Sequence, residues 1–170
     1  THVPVWLLGS SLFSAQLAAR LGLPYSFASH FAPRMLSQAV QLYRENFQPS
    51  EYLEQPYVSM GVPTVVAKTD AEAQHLATSA YQRVLGLMRG QSLKLKPPVE
   101  SMDHIWTPAE RISVNNFYAL GQIGSPETVK AGLQDLLEHV DVDEFIFTCD
   151  IYDTEKRLEN FSLLMDIKNS

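Results

Sequence analysis

Short apolar runs alternate with helix-like segments along most of the chain, and this alternation limits the possible folds more than any other feature. A run of four to eight apolar residues is typical of a strand covered on both faces, whereas apolar residues spaced three and four apart indicate a helix. The runs predict strands over residues 3–8, 25–31, 57–67, 114–120 and 143–152, and the spacing predicts helices over residues 14–21, 34–47, 71–88, 126–139 and 154–168. Strands that alternate with helices form a parallel sheet with helical cover, so we predict an α/β protein.

Two ways of closing such a sheet fit the sequence pattern. An open, doubly wound sheet could be complete in 170 residues. A (β/α)₈ barrel typically needs about 250 residues, and the chain would then hold about half of one. Residues 89–111 contain two adjacent prolines and a third at Pro108, which predicts an irregular insertion at the surface.

The composition argues against several classes of protein. With 45% hydrophobic and 19% charged residues, the chain can bury a sizeable core, and residues 1–170 are expected to form a single unit. A net charge of −6 gives no basic surface for nucleic acid or an anionic membrane. No apolar run reaches the roughly 18 residues of a membrane span. The single cysteine, Cys149, and the lack of zinc-like spacing predict a cytoplasmic protein without a metal site.

The stretch GSSLFS, residues 9–14, links the first predicted strand to the first helix. Gly9 lets the backbone approach a ligand closely, and Ser10, Ser11 and Ser14 place hydroxyls at the positive end of that helix. We therefore predict a cradle for a phosphate. Because the lysine of a P-loop and the three glycines of a dinucleotide-binding loop are both missing, a simple serine-capped turn is an equal alternative.

Other polar residues follow the ends of predicted strands. His30 ends the second strand, where it could polarise a group of the ligand; the alternative is a histidine whose ring is satisfied by a backbone carbonyl. Asp150 and Asp153 flank the end of the last strand, where a carboxylate could orient substrate, although capping of the final helix is favoured for Asp153. Cys149 has no identifiable base near it and is interpreted as a small buried apolar residue.

Residues 3–33 and residues 124–167 both resemble the bacterial luciferase-like flavin-dependent monooxygenases, in the MsnO8-type subgroup. This resemblance implies the carboxyl-terminal half of a (β/α)₈ TIM barrel. It also implies that the turn after the fifth barrel strand binds the phosphate of reduced FMN, which on this sequence places Ser10, Ser11 and Ser14 on the phosphate with Gly9 beside it. His30 is the candidate catalytic residue.

The resemblance further implies a monooxygenase that uses O2 and reduced FMN to oxygenate an aldehyde-like or other small organic substrate, with a flavin reductase as the source of reduced FMN. The expected partner is a second copy in a homodimer or the amino-terminal half of the same barrel, because this chain by itself is expected to be incomplete for catalysis. Two alternatives remain. One is a non-catalytic half-barrel that binds flavin or phosphate or serves assembly, and the other is an open-sheet nucleotide-binding protein.

Overall fold

The computed structural model describes residues 3–92 and 94–169. Two compact units divide the chain. The first consists of the chain up to Val62 together with Asp135–Phe147, and the second consists of Pro63–Gln134 together with the chain from Thr148.

The first unit contains parallel strands and two helices that pack against each other. Its elements are β1 (Leu7–Gly9), α1 (Leu12–Leu21), β2 (Tyr25–Phe27), a 3-10 turn at Pro33–Met35, α2 (Leu36–Asn46) and the first part of β3 (Val58–Val66). β1 pairs with β2 and β2 pairs with β3, both in parallel, and Gly9, Phe27 and Met60 lie in one row across the three strands. The carboxyl ends of β1 and β2 therefore lie at the same edge of the sheet.

Helix α1 is short because both of its ends are fixed by local chemistry. Ser11 caps its amino end, and Gly22 ends it with φ of 60°, a left-handed conformation that glycine adopts without steric cost. Its inner face is built from the small residues Ala15, Ala18 and Ala19, all fully buried. Helix α1 packs against α2.

The second unit contains the rest of β3, then α3 (Asp70–Met88), α4 (Pro108–Phe117), β4 (Gln122–Gly124), most of α5 (Pro126–His139) and α6 (Thr154–Asn169). β4 pairs with β3 in parallel through Val65 and Ile123. β5 (Glu144–Thr148), most of which belongs to the first unit, also pairs with β3. Thr69 caps α3 by accepting the Glu72 N–H at 3.2 Å. Two apolar clusters form the core of this unit, one around Val65 and Leu76 and one around Leu85 and Val114.

The parallel α/β architecture is confirmed, and β3 matches its predicted span closely. The strand predicted over residues 114–120 is wrong, because residues 108–117 form α4 and the strand follows at Gln122–Gly124. The Thr107 side chain accepts the Glu110 N–H at 3.3 Å, and the Glu110 carboxylate accepts the Thr107 N–H at 2.7 Å, a reciprocal cap that starts a helix. Residues 108–111, predicted to be irregular, therefore belong to a helix.

Two predicted apolar faces are more exposed than expected. β1 is an edge strand paired only with β2 among the described residues, and its Leu8 side chain is 68% exposed. The predicted apolar stripe of α6 is largely exposed as well, with Leu158 at 64% and Met165 at 54%, whereas Leu164 is buried.

Among residues 3–92 and 94–169, no helix combines the length and the apolar character needed to cross a lipid bilayer.

Candidate functional site

The candidate site lies at the carboxyl ends of β1 and β2. The 9–14 turn, defined as Gly9 to Ser14, follows β1, and the loop of residues 28–31 follows β2. The Ala28 N–H donates to the Gly9 carbonyl at 2.9 Å and fixes the start of one loop against the other. The serines of the turn and His30 thus follow neighbouring strand ends.

Ser11 and Ser14 cap α1 reciprocally. The Ser14 N–H donates to Ser11 Oγ at 3.2 Å, and the Ser11 N–H donates to Ser14 Oγ at 3.3 Å. The Ser14 hydroxyl also lies 2.7 Å from the Ser11 carbonyl, to which it can donate. Two of the backbone donors at the start of α1 are therefore used within the turn.

The two N–H groups between these serines remain available. Leu12 and Phe13 occupy the first two helical positions, whose N–H groups have no acceptor within a helix. Within residues 3–92 and 94–169, neither N–H has a protein acceptor. Free N–H groups at a helix start, together with the positive end of the helix dipole, favour an anion.

The serines of the turn differ in their accessibility. Ser11 is exposed and Ser10 is half-buried, whereas Ser14 is buried. The hydroxyls of Ser10 and Ser11 are therefore the ones that an incoming ligand can reach. Ser14 acts on the shape of the turn through its hydrogen bonds.

Helix α5 shows how this chain already places an anion at a similar turn. There, β4 ends at Gly124 and Ser125 precedes the helix, as Gly9 and the serines precede α1. The Ser125 N–H donates to the Asp70 carboxylate at 2.6 Å. This bond lowers the pKa of Asp70 below its ordinary value. The start of α5 is thus occupied by a carboxylate of the protein, whereas the start of α1 is not.

His30 is half-buried, and its ring lies against Phe31 with the ring centroids 4.3 Å apart. Phe31 itself is 64% exposed. The structure thus places His30 after the strand end, beside an exposed aromatic ring.

The other candidates lie in the second unit and serve its structure. Asp150 accepts from Arg83 Nε at 2.8 Å, which makes it half of an ion pair. Asp153 accepts the Lys156 N–H at 2.9 Å and caps α6. Burial raises the pKa of Cys149 to about 11, so its thiol is protonated at neutral pH. Within the described part of the chain, no group of three or more His, Cys, Asp or Glu residues is placed to hold a metal ion.

The sequence did not point to Tyr25, whose hydroxyl lies 3.0 Å from Ser14 Oγ. Tyr25 is fully buried in β2 and was part of an apolar strand pattern. The one signal in the sequence is the choice of tyrosine over phenylalanine in a buried strand. A buried tyrosine hydroxyl usually finds a hydrogen-bond partner.

The structure gives a parallel α/β fold with unpartnered N–H groups at a helix start that follows a strand, and comparison with known proteins gives the family. The family model described as luciferase-like monooxygenase matches residues 1–144, and the chain belongs to this family. A luciferase-like monooxygenase of Escherichia coli K12 is 46% identical over 166 residues, which are 98% of this chain and 50% of the relative.

Many solved structures resemble the chain, and two of them illustrate the likeness. Apo-MsnO8 superposes with a TM-score of 0.77 at 27% identity, over 99% of this chain and 52% of that chain. The oxygenating constituent of 3,6-diketocamphane monooxygenase from Pseudomonas putida, in complex with FMN, gives a TM-score of 0.63 at 18% identity, over 95% of this chain and 46% of that chain. The chain thus spans about half the length of these proteins. This coverage confirms the predicted half of a (β/α)₈ barrel.

Proposed function

We propose that this chain carries the phosphate-binding part of an FMN-dependent monooxygenase, and that the 9–14 turn holds the FMN phosphate. The observation that carries the proposal is the pair of open N–H groups of Leu12 and Phe13 at the start of α1. The hydroxyls of Ser10, which is half-buried, and Ser11, which is exposed, would supply two further donors. Ser14 holds the turn in shape, and Gly9 gives Ser14 the space to do so.

The residues of the turn fit a phosphate by charge and by donor type. A phosphate accepts several hydrogen bonds, and backbone N–H groups at a helix start are suitable donors. Family membership supports flavin as the molecule that carries this phosphate, and the diketocamphane monooxygenase constituent is a protein of this fold in complex with FMN. When bound, reduced FMN would supply the reaction with O2 that oxygenates a small organic substrate such as an aldehyde.

FMN and riboflavin differ only in the phosphate, so they test this site directly. We would titrate both flavins into the chain, into a Ser11→Ala variant and into a Ser125→Ala variant. Loss of either cap destabilises its helix by about 1 kcal/mol. Ser125→Ala is the matched control, because it removes a cap serine at the occupied start of α5.

We expect FMN to bind more tightly than riboflavin, and we expect Ser11→Ala to weaken FMN binding about fivefold or more through the loss of a donor to a charged group. Ser125→Ala should leave both affinities unchanged. Equal affinities for the two flavins in the unaltered chain, or no flavin binding at all, would contradict a phosphate site in this turn.

We also propose that the amino-terminal half of the barrel covers an apolar ridge on the first unit. Phe13, Leu17 and Leu21 recur every fourth residue along α1 and are 73%, 37% and 50% exposed. Helical residues four apart share one face, so these three side chains form one continuous surface. An exposed apolar ridge beside an edge strand is an association surface, and the relatives are about twice the length of this chain.

Gel filtration tests this association. The chain should self-associate when alone, as a homodimer or larger, and Leu17→Asp should abolish the association. The matched control is Ile112→Asp on α4, which changes another exposed apolar residue, 64% exposed. A folded monomer at micromolar concentration would contradict the assignment.

Catalysis is proposed for the assembled barrel and not for the isolated chain. His30 is the candidate catalytic residue, and a flavin reductase in the cytoplasm would supply the reduced FMN. Turnover of a long-chain aldehyde with reduced FMN and O2 separates this proposal from a non-catalytic flavin-binding or assembly module. In the assembled protein, full turnover by a His30→Gln variant would show that His30 has no catalytic role.

A further inference from the structure

Tyr25 is a fully buried polar residue beneath the 9–14 turn. Its hydroxyl lies 3.0 Å from Ser14 Oγ and 3.4 Å from the Ser11 carbonyl oxygen. These are the two residues that form the reciprocal cap of α1. Tyr25 therefore connects the first strand-to-helix turn to the neighbouring strand β2.

The direction of the hydrogen bond follows from the short contacts around Ser14. The Ser14 hydroxyl has a single proton, and its closest acceptor is the Ser11 carbonyl at 2.7 Å. With that proton used, Ser14 Oγ accepts, and the Tyr25 hydroxyl donates to it at 3.0 Å. The opposite arrangement would need the longer 3.4 Å contact between Tyr25 and the Ser11 carbonyl. Burial also raises the pKa of Tyr25 above its usual value, so its proton stays in place at neutral pH.

The position of this hydroxyl is fixed by the sheet and by neighbouring rings. Tyr25 starts β2 in register with Leu7 of β1. Its ring lies against Tyr43 at 5.5 Å between centroids and meets Phe27 edge-on at 6.3 Å. A ring held on several sides has little freedom to move, and its hydroxyl is a rigid anchor point.

We propose that Tyr25 is a positioning residue of the phosphate site. Its hydroxyl holds Ser14 Oγ, Ser14 holds the backbone of Ser11, and the N–H groups of Leu12 and Phe13 are thereby aimed at one point. This inference rests on the proposed function of the turn. It predicts that Tyr25 affects the recognition of FMN without contacting it.

The test is a Tyr25→Phe variant, titrated with FMN and with riboflavin. The matched control is Tyr43→Phe, because Tyr43 is also fully buried and its ring contacts Tyr25. The Tyr43 hydroxyl donates to the Leu23 carbonyl at 2.9 Å and accepts the Tyr57 N–H at 3.1 Å, and it makes no bond to the turn. Both variants lose a buried tyrosine hydroxyl and are expected to lose similar stability.

We expect Tyr25→Phe to reduce the preference for FMN over riboflavin about fivefold, the effect of one lost hydrogen bond, with riboflavin affinity unchanged. Tyr43→Phe should leave the preference unchanged. If the unaltered chain prefers FMN and Tyr25→Phe keeps that preference, the role of Tyr25 is wrong while the phosphate site stands. If the unaltered chain shows no preference, the proposed function fails and the role of Tyr25 falls with it.

A second measurement uses the unaltered chain and therefore does not depend on the folding of a variant. In a chain labelled with ¹³C-tyrosine, the Cζ resonance of Tyr25 reports on its hydroxyl. FMN should shift this resonance and riboflavin should not. An unchanged Tyr25 resonance under conditions in which FMN binds in preference to riboflavin would overturn the inference.

Discussion

Gly9 packs directly against the side chain of Ser14. A β-carbon on residue 9 would lie 2.3 Å from Ser14 Oγ and 2.5 Å from Ser14 Cβ. The glycine is required by this close approach and not by a left-handed backbone, because Gly22 and Gly90 are the glycines with positive φ among the described residues. The reciprocal cap of α1 therefore depends on the absence of a side chain at residue 9.

Gly9→Ala should accordingly destabilise the chain by about 2 kcal/mol, since the added methyl group displaces Ser14 and breaks the cap. The measurement is urea unfolding. Gly61→Ala is the control, because a β-carbon there would meet its nearest atom at an ordinary 3.7 Å. Equal stability of the two variants would show that Ser14 can move without cost.

Asn160 supports the end of β3 from α6. It is fully buried, and its Oδ1 accepts the Val66 N–H at 2.7 Å. Asn160→Ala leaves that buried N–H without an acceptor and should cost about 2 kcal/mol of unfolding free energy. The exposed Asn115, changed to alanine in α4, is the control and should cost little. Unfolding curves that coincide for the two variants would contradict this role.

The stability of the α4 segment should depend on pH through Glu110. Arg89 bonds this carboxylate at 2.7 and 2.9 Å, and the pair lowers the pKa of Glu110 from 4.5 to about 2. A carboxylate whose pKa is lower in the folded chain stabilises it fully above pH 4.5, and this contribution is lost as the pH falls toward 2.

Glu110→Gln should therefore lower the melting temperature at pH 7 and make it less sensitive to pH below 4.5. Glu100→Gln changes an exposed carboxylate and should follow the unaltered chain. Parallel melting curves for Glu110→Gln and the unaltered chain across this pH range would refute the effect.

Cys149 should react slowly with a disulfide reagent at pH 8. Burial raises the pKa of its thiol to about 11, so the reactive thiolate is scarce in the folded chain. Unfolding in urea should restore the rate of an ordinary exposed thiol. Fast labelling of the folded chain would show that Cys149 is accessible and would reopen a reactive role for it.

Much of the fold could be predicted from the sequence because its signals are local. A continuous apolar run predicts β3, and apolar residues spaced three and four apart predict α3 and α5. Thr107 and Glu110 form the reciprocal cap that starts α4, but in the sequence the prolines of residues 89–111 favour a loop. The apolar run of residues 114–120 predicts a strand, whereas Val114 packs with Leu85 and Met102 from within a helix.

The rest depends on contacts between distant residues that no local pattern contains. Arg44 bonds Asp143 at 2.9 Å across 99 positions of sequence, and Asn160 reaches Val66 across 94. At the candidate site, the sequence pointed to the serines of the turn. That Ser11 is exposed to a ligand while Ser14 shapes the turn follows only from their burial and their mutual hydrogen bonds. The role of the Tyr25 hydroxyl could not be predicted, because Tyr25 lies in the apolar strand β2 and its partner Ser14 lies in α1.

The most direct test of the phosphate site is to follow the backbone amide resonances of Leu12 and Phe13 by NMR during parallel titrations with FMN and riboflavin. We expect FMN to shift both amide protons downfield, because they donate to the phosphate, and riboflavin to leave them in place. FMN binding that moves neither resonance, or riboflavin shifts of the same size, would contradict the claim that the start of α1 holds the phosphate.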